Sequence, residues 1–155
     1  MNWEEKKEVK KGEIGEIIVR KYLENKGYIV YQPKTKGAHY FDMLCTLNKN
    51  EVIALDVKTK ARLNYYEATG IELSHYEDYK RLINTIEIPF YLYFVDEMEG
   101  KVYRQLLNDL PNPWHLNKTI VCWDLKDLEC LFSLNEKEKK ELQKLNTRTY
   151  KYKPV

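Results

Sequence analysis

The chain has 155 residues, of which 43% are hydrophobic, enough to bury one continuous core and too many for an intrinsically disordered protein. Lysine and arginine (26) nearly balance aspartate and glutamate (24), so the net charge of +2 does not by itself predict a nucleic-acid partner. Three cysteines without CxxC spacing argue against a disulfide scaffold and a cysteine-rich zinc site, and no apolar run approaches the ~18 residues of a membrane span. We therefore expect one cytoplasmic domain over 1–155, in which 108–155 is a C-terminal extension whose role is left open.

The first 60 residues are predicted to form one helix and three strands. Apolar residues at steps of three and four indicate a helix over 4–26, which Gly27 ends as a left-handed cap. Gly12 and Gly15 are interpreted as small residues that let this helix approach the sheet closely. Apolar runs bounded by turn residues predict three strands, at 28–31, 40–47 and 51–60.

The remaining residues are predicted to form two more helices and three more strands, one of them buried on both faces. Residues 61–73 show no regular pattern, and Ser74 with Glu77 three positions later is typical of a capping box that starts a helix running to about Thr85. The nearly continuous apolar run at 88–95 indicates a strand covered on both faces. Apolar patterns of the same kinds predict two further strands, at 101–107 and 119–125, and a last helix at 135–145 that is capped by Asn135. This order predicts a mixed α/β fold with a central sheet and helices packed on it.

The charged residues of the strand at 51–60 point to chemistry. Alternate residues of a strand share a face, so Asp56, Lys58 and Lys60 are predicted to lie on one face and the aliphatic residues between them on the other. A half-exposed strand would show the same alternation, and this alternative stays open for the segment taken alone.

The register of the predicted hairpin decides where Asp42 lies. If Leu47 and Glu51 flank a three-residue loop, the numbers of paired residues sum to 98, and Asp42 lies opposite Asp56 on the same face. A two-residue loop at 48–49 would give a sum of 97 and put the two aspartates on opposite faces. Facing aspartates repel each other unless a cation lies between them or one of them is protonated.

Two carboxylates and a backbone carbonyl form the oxygen-rich site that Mg²⁺ prefers, with Mn²⁺ as the alternative ion. Such an ion lowers the pKa of a bound water and neutralises charge on a phosphate. A lysine such as Lys58 beside it can position or deprotonate the attacking water and stabilise the transition state. The residues therefore predict hydrolysis of a phosphodiester.

A glutamate on the first helix and the acidic hairpin resemble the PD-(D/E)xK nuclease superfamily, which includes type II restriction enzymes and archaeal Holliday-junction resolvases. The residues that carry the resemblance are Glu16, Asp42 and Asp56-Val57-Lys58. The pattern Lys11-Gly12-x-x-Gly15-Glu16 and the following Tyr22-Leu23, Gly27-Tyr28 and Val30 are similar to the resolvase-like branch. The resemblance covers about residues 11–95, including the α-β-β-β-α-β order of the family core, and has no counterpart beyond Lys101.

Two positions depart from the family pattern. Phe41 stands where the family name has proline, although this proline is among its least constant features. Glu13 competes with Glu16 for the helix position, and the spacing from Gly15 favours Glu16.

The resemblance implies a restriction-endonuclease-like core and a Mg²⁺-dependent DNA endonuclease. It implies that Asp42 is the principal metal ligand, that Asp56 and the carbonyl of Val57 are further ligands, and that Lys58 is the catalytic lysine. Glu16 would bind or orient the metal from the helix. Related enzymes often act as dimers, so a homodimer is expected as well. The alternatives are a catalytically inactive nucleic-acid-binding module on the same fold and an interaction protein whose acidic cluster is incidental.

Basic and aromatic residues that flank the predicted site are candidates for DNA contacts, because phosphates attract cationic side chains and bases stack on aromatic rings. They are Lys34, Lys36, Lys60, Arg62, Tyr65, Tyr66, Ser74 and Lys80. For each of them, a solvated surface residue or core filler is the alternative. His39, just before the predicted metal strand, is interpreted as a loop histidine bonded to backbone, and a contact with the site is its alternative reading.

Overall fold

The computed structural model describes residues 6–34, 39–48, 51–60, 62–63, 66–109 and 112–145. Within these ranges the chain forms three helices and nine strands. The helices are α1 (Lys7–Asn25), α2 (Leu73–Thr85) and α3 (Glu136–Lys144). The strands are β1 (Ile29–Tyr31), β2 (Met43–Asn48), β3 (Glu51–Lys60), β4 (Ala68–Glu72), β5 (Phe90–Asp96), β6 (Lys101–Leu106), β7 (Trp114–Leu116), β8 (Ile120–Asp124) and β9 (Glu129–Ser133).

Six strands form a mixed central sheet in the order β1-β2-β3-β5-β6-β9. The central pair β3–β5 is parallel, with α2 in the connection between the two strands, and the neighbouring pairs are antiparallel. A second antiparallel sheet has the order β4-β8-β7. The predicted mixed α/β class, with helices on a central sheet, is confirmed.

The central sheet separates two hydrophobic cores. The first core lies between the sheet and α1 with α3, and the second lies between the opposite face, α2 and the smaller sheet. Strand β5 supplies both cores in alternation: Tyr93 and Val95 point into the first, and Leu92 and Phe94 into the second. This arrangement confirms the predicted strand that is covered on both faces.

The described residues beyond 108 contribute to both cores. Strand β9 pairs with β6 at one edge of the central sheet, and Leu134 and Leu142 are buried in the first core. Val121 and Trp123 of β8 are buried in the second core. No helix of the described residues is long and apolar enough to cross a membrane.

The predicted boundaries hold best where a local signal specifies them. The left-handed conformation of Gly27 (φ 92°) and the Asn135 cap of α3 are confirmed; the Asn135 side chain accepts from the backbone N–H of Glu138 at 2.8 Å. The predicted Ser74 cap is wrong, because α2 begins at Leu73 directly after β4. The backbone N–H of Leu73 donates to the carbonyl of Thr119 at 2.8 Å, so a contact with a distant turn replaces the local cap.

Three strands were not predicted. Strand β4 occupies part of the stretch 61–73 and β7 part of the stretch 110–118, both expected to be irregular, and β9 had no assignment from the sequence. Each of these strands is short. Strand β4 pairs with β8 and β9 pairs with β6, which are distant in sequence, and β7 pairs with the short strand β8.

Gly15 lets α1 approach β3 closely. A Cβ atom at Gly15 would lie 1.8 Å from Oγ1 of Thr59, whereas a Cβ atom at Gly12 would meet nothing within 4 Å. The predicted role in close packing is therefore confirmed for Gly15 and wrong for Gly12. Because Glu16 follows Gly15, the same approach sets how near that carboxylate comes to the sheet.

We expect Gly15→Ala to lower the free energy of unfolding by about 1–2 kcal/mol, since overpacking costs about 1–3 kcal/mol and helix propensity returns less than about 1 kcal/mol. Gly12→Ala is the matched control and should raise stability by about 0.5–1 kcal/mol. Urea unfolding measures both variants, and Thr59→Ala should restore most of the loss in the Gly15→Ala background. Equal stabilisation by both glycine substitutions would contradict the close contact.

Candidate active site

A cleft of about 400 Å³ opens beside β3 and is lined by residues of both α1 and α2. Its walls come from α1, from the segment before β2, from β3 and from α2. The lining residues are Glu16, His39, Tyr40, Asp42, Asp56, Val57, Lys58, His75, Asp78 and Tyr79. All five residues predicted as catalytic or metal-binding are among them: Glu16, Asp42, Asp56, Val57 and Lys58.

The hairpin register brings Asp42 to this cleft. Four consecutive pairs, from Thr46–Val52 to Met43–Leu55, have residue numbers that sum to 98, so the predicted register is confirmed. The predicted three-residue loop is wrong, because Asn48 pairs with Glu51 and the register shifts between Thr46 and Asn48. An irregularity in β2 thus gives the register that the longer loop was expected to give.

Asp42 lies just before β2 and is held by β3. Its Oδ2 atom accepts a hydrogen bond from the backbone N–H of Val57 at 2.7 Å, and its own N–H donates to the carbonyl of Leu55 at 3.0 Å. Its other oxygen, Oδ1, lies 2.8 Å from Nε2 of His39. The side chain is only 7% exposed, so these contacts fix its direction into the cleft.

Asp56 and Lys58 share the α2 face of β3, as the alternation predicted. The ammonium group of Lys58 lies 2.9 Å from Oδ2 of Asp56 and 5.5 Å from the centre of the Tyr79 ring. The Tyr79 hydroxyl donates a hydrogen bond to the same Asp56 oxygen. Burial raises the pKa of Tyr79, and the charge of Asp56 adds to the rise, so the phenol stays protonated as a donor. Two donors therefore hold one oxygen of Asp56.

Glu16 enters the cleft from α1. Its Oε2 atom accepts a hydrogen bond from the Gln32 amide at 2.7 Å, and Arg20 donates to the oxygen of that amide at 3.1 Å. Ligand atoms of Glu16, His39 and Asp42 all lie within 4.8 Å of one another. Residues of α1 and of the β1–β2 connection thus meet at one point.

The carboxylates of the cleft are close together and largely buried. Burial raises the pKa of Asp42 to about 7, and the charges of Asp56 and Glu16 contribute to the rise. Burial also raises the pKa of Glu16, with the charge of Asp56 adding to it. A divalent cation would relieve this repulsion, and the set of carboxylate oxygens with a backbone carbonyl fits a hard cation such as Mg²⁺ or Mn²⁺.

None of the described residues among the predicted DNA contacts lines the cleft. Lys60 forms an ion pair with Glu72 at 3.1 Å, and Tyr66 is exposed with its ring edge against Trp114. Arg62 is buried and bonded to Asp96 at 2.6 Å, so its guanidinium is committed to the fold. Of the other candidates, Lys34, Ser74 and Lys80 are exposed, and Lys36 and Tyr65 lie outside the described residues.

Several cleft or support residues were not assigned to the site from the sequence: His39, Tyr40, His75, Asp78 and Tyr79 line the cleft, and Gln32 supports it. His39 contacts a carboxylate instead of the backbone that its preferred interpretation named, and Tyr79 was predicted only as a buried residue of α2. Gln32 and Tyr40 carried no signal in the sequence. Tyr79 had the clearest available clue, since its position on the buried face of α2 turns its hydroxyl towards the charged face of β3.

Comparison with known proteins identifies the fold. No family model matches the chain, and no curated protein matches its sequence. Among solved structures, a Holliday junction resolvase of the archaeal hyperthermophile Archaeoglobus fulgidus superposes with a TM-score of 0.56 and 13% sequence identity, over 75% of this chain and 90% of that chain. The chain has the fold of an archaeal resolvase. The restriction-endonuclease-like core predicted from the sequence is thereby confirmed.

Stability without metal should depend on pH through Asp42. Because the raised pKa makes the folded state bind this proton more tightly than the unfolded chain, unfolding free energy should fall as pH rises from about 4 to 7. We expect Asp42→Asn to remove about 2–4 kcal/mol of this fall, since its amide oxygen still accepts from Val57. Urea unfolding in EDTA at several pH values measures the slope.

Asp78→Asn is the control for this experiment, because Asp78 lines the same cleft but is exposed and paired with Arg81. Its slope should match that of the unsubstituted protein. An Asp42→Asn slope that is also unchanged would show that Asp42 is not a crowded, buried acid.

Tyr79→Phe should lower the free energy of unfolding by about 1–3 kcal/mol, because it removes a buried hydrogen bond to a charged group. Tyr76→Phe on the same helix is the control, since Tyr76 contributes a ring packed against Trp123, and we expect a change below about 0.5 kcal/mol. Thermal and urea unfolding at pH 7 compare the two. Equal effects would mean that the Tyr79 hydroxyl contributes nothing at Asp56.

Proposed function

We propose that the protein is a metal-dependent endonuclease that hydrolyses phosphodiester bonds in DNA, with Mg²⁺ or Mn²⁺ as its ion. The observation that carries this proposal is the convergence of Asp42, Asp56 and Lys58 in one cleft of a fold shared with a resolvase. The fold alone hosts no fixed chemistry, so the argument depends on the site.

The residues that would hold the ion are Asp42, Asp56 and the carbonyl of Val57, with Glu16 binding or orienting it from α1. When bound, the ion supplies an activated water and neutralises charge on the phosphate under attack. The hydrogen bond from Val57 fixes Asp42, and Lys58 with Tyr79 fixes Asp56. These supports keep both carboxylates in place before any ligand arrives, as a preorganised site requires.

The charge of the cleft supports dependence on metal. Among the described residues, four acidic side chains line it, and the one lysine that lines it is already paired with one of them. Without a cation this surface would repel a phosphate. Binding of DNA in the cleft is therefore expected to need the ion, in contrast to a binding module that attracts phosphates with its own basic residues.

Lys58 is proposed as the catalytic lysine. Its ammonium group is partly exposed to the cleft, so it can orient the attacking water and stabilise charge that develops on the phosphate. If Lys58 leaves Asp56 to make these contacts, the Tyr79 hydroxyl still holds the carboxylate. Because Asp56 has two hydrogen-bond donors, Lys58 can move to the substrate while Tyr79 keeps the Asp56 carboxylate in position.

Substrate contacts around the cleft are also part of the proposal. Tyr40 lines the cleft and is 75% exposed, which suits it to stack on a base, and Lys34 and Lys80 are exposed cations that can meet phosphates, Lys80 from its position over the Tyr76 ring. Lys60 can do so by exchanging its partner Glu72, whereas Arg62 is left out because it is buried. A homodimer would present two clefts to two strands.

A plasmid-nicking assay tests the proposed function. We expect nicking of supercoiled DNA with Mg²⁺ or Mn²⁺, none in EDTA, and a rate loss of about 100-fold or more in Lys58→Ala and in Asp42→Ala. Isothermal titration should show that Asp42→Ala loses metal binding while Lys58→Ala retains it. Linear duplex, single-stranded DNA and a four-way junction, the substrate in the name of the structural neighbour, should be compared at equal concentration.

Asp78→Ala and Lys21→Ala are the controls, because Asp78 lines the cleft without belonging to the acidic cluster and Lys21 is exposed elsewhere on α1. Both should keep full activity. DNA binding without cleavage under any ion would instead support the inactive binding module, and the absence of both metal and DNA binding would overturn either function.

A further inference from the structure

We propose that Nε2 of His39 is a ligand of the metal, beside Glu16 and Asp42, and that this nitrogen makes the site prefer first-row transition ions such as Mn²⁺ to Mg²⁺. The inference rests on the proposed function, because it concerns the same centre. It adds a nitrogen donor to the metal ligands, which the sequence analysis predicted to be oxygen atoms only.

The donor atoms are close enough to share one ion. Nε2 of His39 lies 2.8 Å from Oδ1 of Asp42, and both lie within 4.8 Å of a Glu16 carboxylate oxygen. Two ligand atoms at the usual ~2.0–2.2 Å from a metal are at most about 4.4 Å apart. Small side-chain movements therefore suffice to place all three around one ion.

The anchoring of Asp42 points its Oδ1 atom at this position. Because Oδ2 is held by the Val57 amide, Oδ1 is the oxygen that faces His39. The imidazole is 36% exposed and lies in the segment before β2, with Nε2 directed at Oδ1 of Asp42. An ion bound by both atoms would replace the direct contact between them.

The cleft contains a second histidine, His75, whose position does not suit it to bind the same ion. His75 also lines the cleft, but its Nδ1 lies 3.3 Å from Oε2 of Glu72 on the exposed start of α2. It is not in the cluster of donors that includes His39. His75 is therefore a matched control in the same cleft.

A nitrogen ligand changes which ion the site prefers. Mg²⁺ demands oxygen ligands in nearly ideal octahedral geometry and gives up its waters reluctantly. First-row transition ions accept imidazole nitrogen, and their affinity for mixed nitrogen and oxygen sites rises along the series that starts at Mn²⁺. Removal of His39 should therefore weaken Mn²⁺ binding more than Mg²⁺ binding.

Pulsed electron paramagnetic resonance of the Mn²⁺-loaded full chain tests the nitrogen directly. The unsubstituted protein and His75→Ala should both show spin-echo modulation from an imidazole ¹⁴N, and His39→Ala and His39→Gln should lose it. Titration calorimetry should show a Mn²⁺ dissociation constant raised about tenfold in both His39 variants, against less than about threefold for Mg²⁺. His39→Gln matters because its amide keeps a hydrogen bond to Asp42 without the imidazole nitrogen.

Several results would overturn the inference. A Mn²⁺ complex without ¹⁴N modulation, or full Mn²⁺ affinity in His39→Gln, would mean that His39 acts only through its hydrogen bond to Asp42. If Asp42→Ala still abolished Mn²⁺ binding in that case, the proposed function would remain supported and only the role of His39 as a ligand would be rejected. No Mn²⁺ binding by the unsubstituted protein would overturn both together.

Discussion

The hydrogen bond from the backbone amide of Val57 to the carboxylate of Asp42 is the interaction on which the site depends. It ties the acid that precedes β2 to the strand that carries Asp56 and Lys58, and it points one oxygen of Asp42 into the cleft. The bond lowers the cost of ionising Asp42, yet burial and the neighbouring charges outweigh it and raise the pKa to about 7. The cation of the proposed function would bind between these acids and offset the cost of keeping them so close.

The rest of the architecture holds this arrangement from both faces of the sheet. Gly15 allows α1 to lie against β3, which brings Glu16 near the aspartates. Tyr79 of α2 reaches Asp56 from the opposite layer, and the parallel pairing of β3 with β5 buries the strand between two cores. Close packing therefore serves the geometry of the site as well as stability.

Sequence reasoning recovered the elements and residues that local rules determine. The alternation in β3 and the register of the hairpin were predictable because a one-residue slip would have put every apolar side chain of β2 on the wrong face. What failed depends on distant contacts. Gly70 was read as part of an irregular stretch, but its missing Cβ lets β4 approach the Val121 carbonyl of β8, and Arg62 is paired with Asp96, 34 residues away. His39 was undervalued because the path of the segment before β2 decides what it contacts.

A crystal structure of the Mn²⁺-soaked protein, with data collected at the manganese absorption edge, tests the central claim most directly. The account predicts an anomalous peak within coordination distance of both Asp42 and Asp56, with the ammonium group of Lys58 beside it. A site without a peak at saturating Mn²⁺, in which Asp42 still contacts His39 and Asp56 still contacts Lys58, would contradict it.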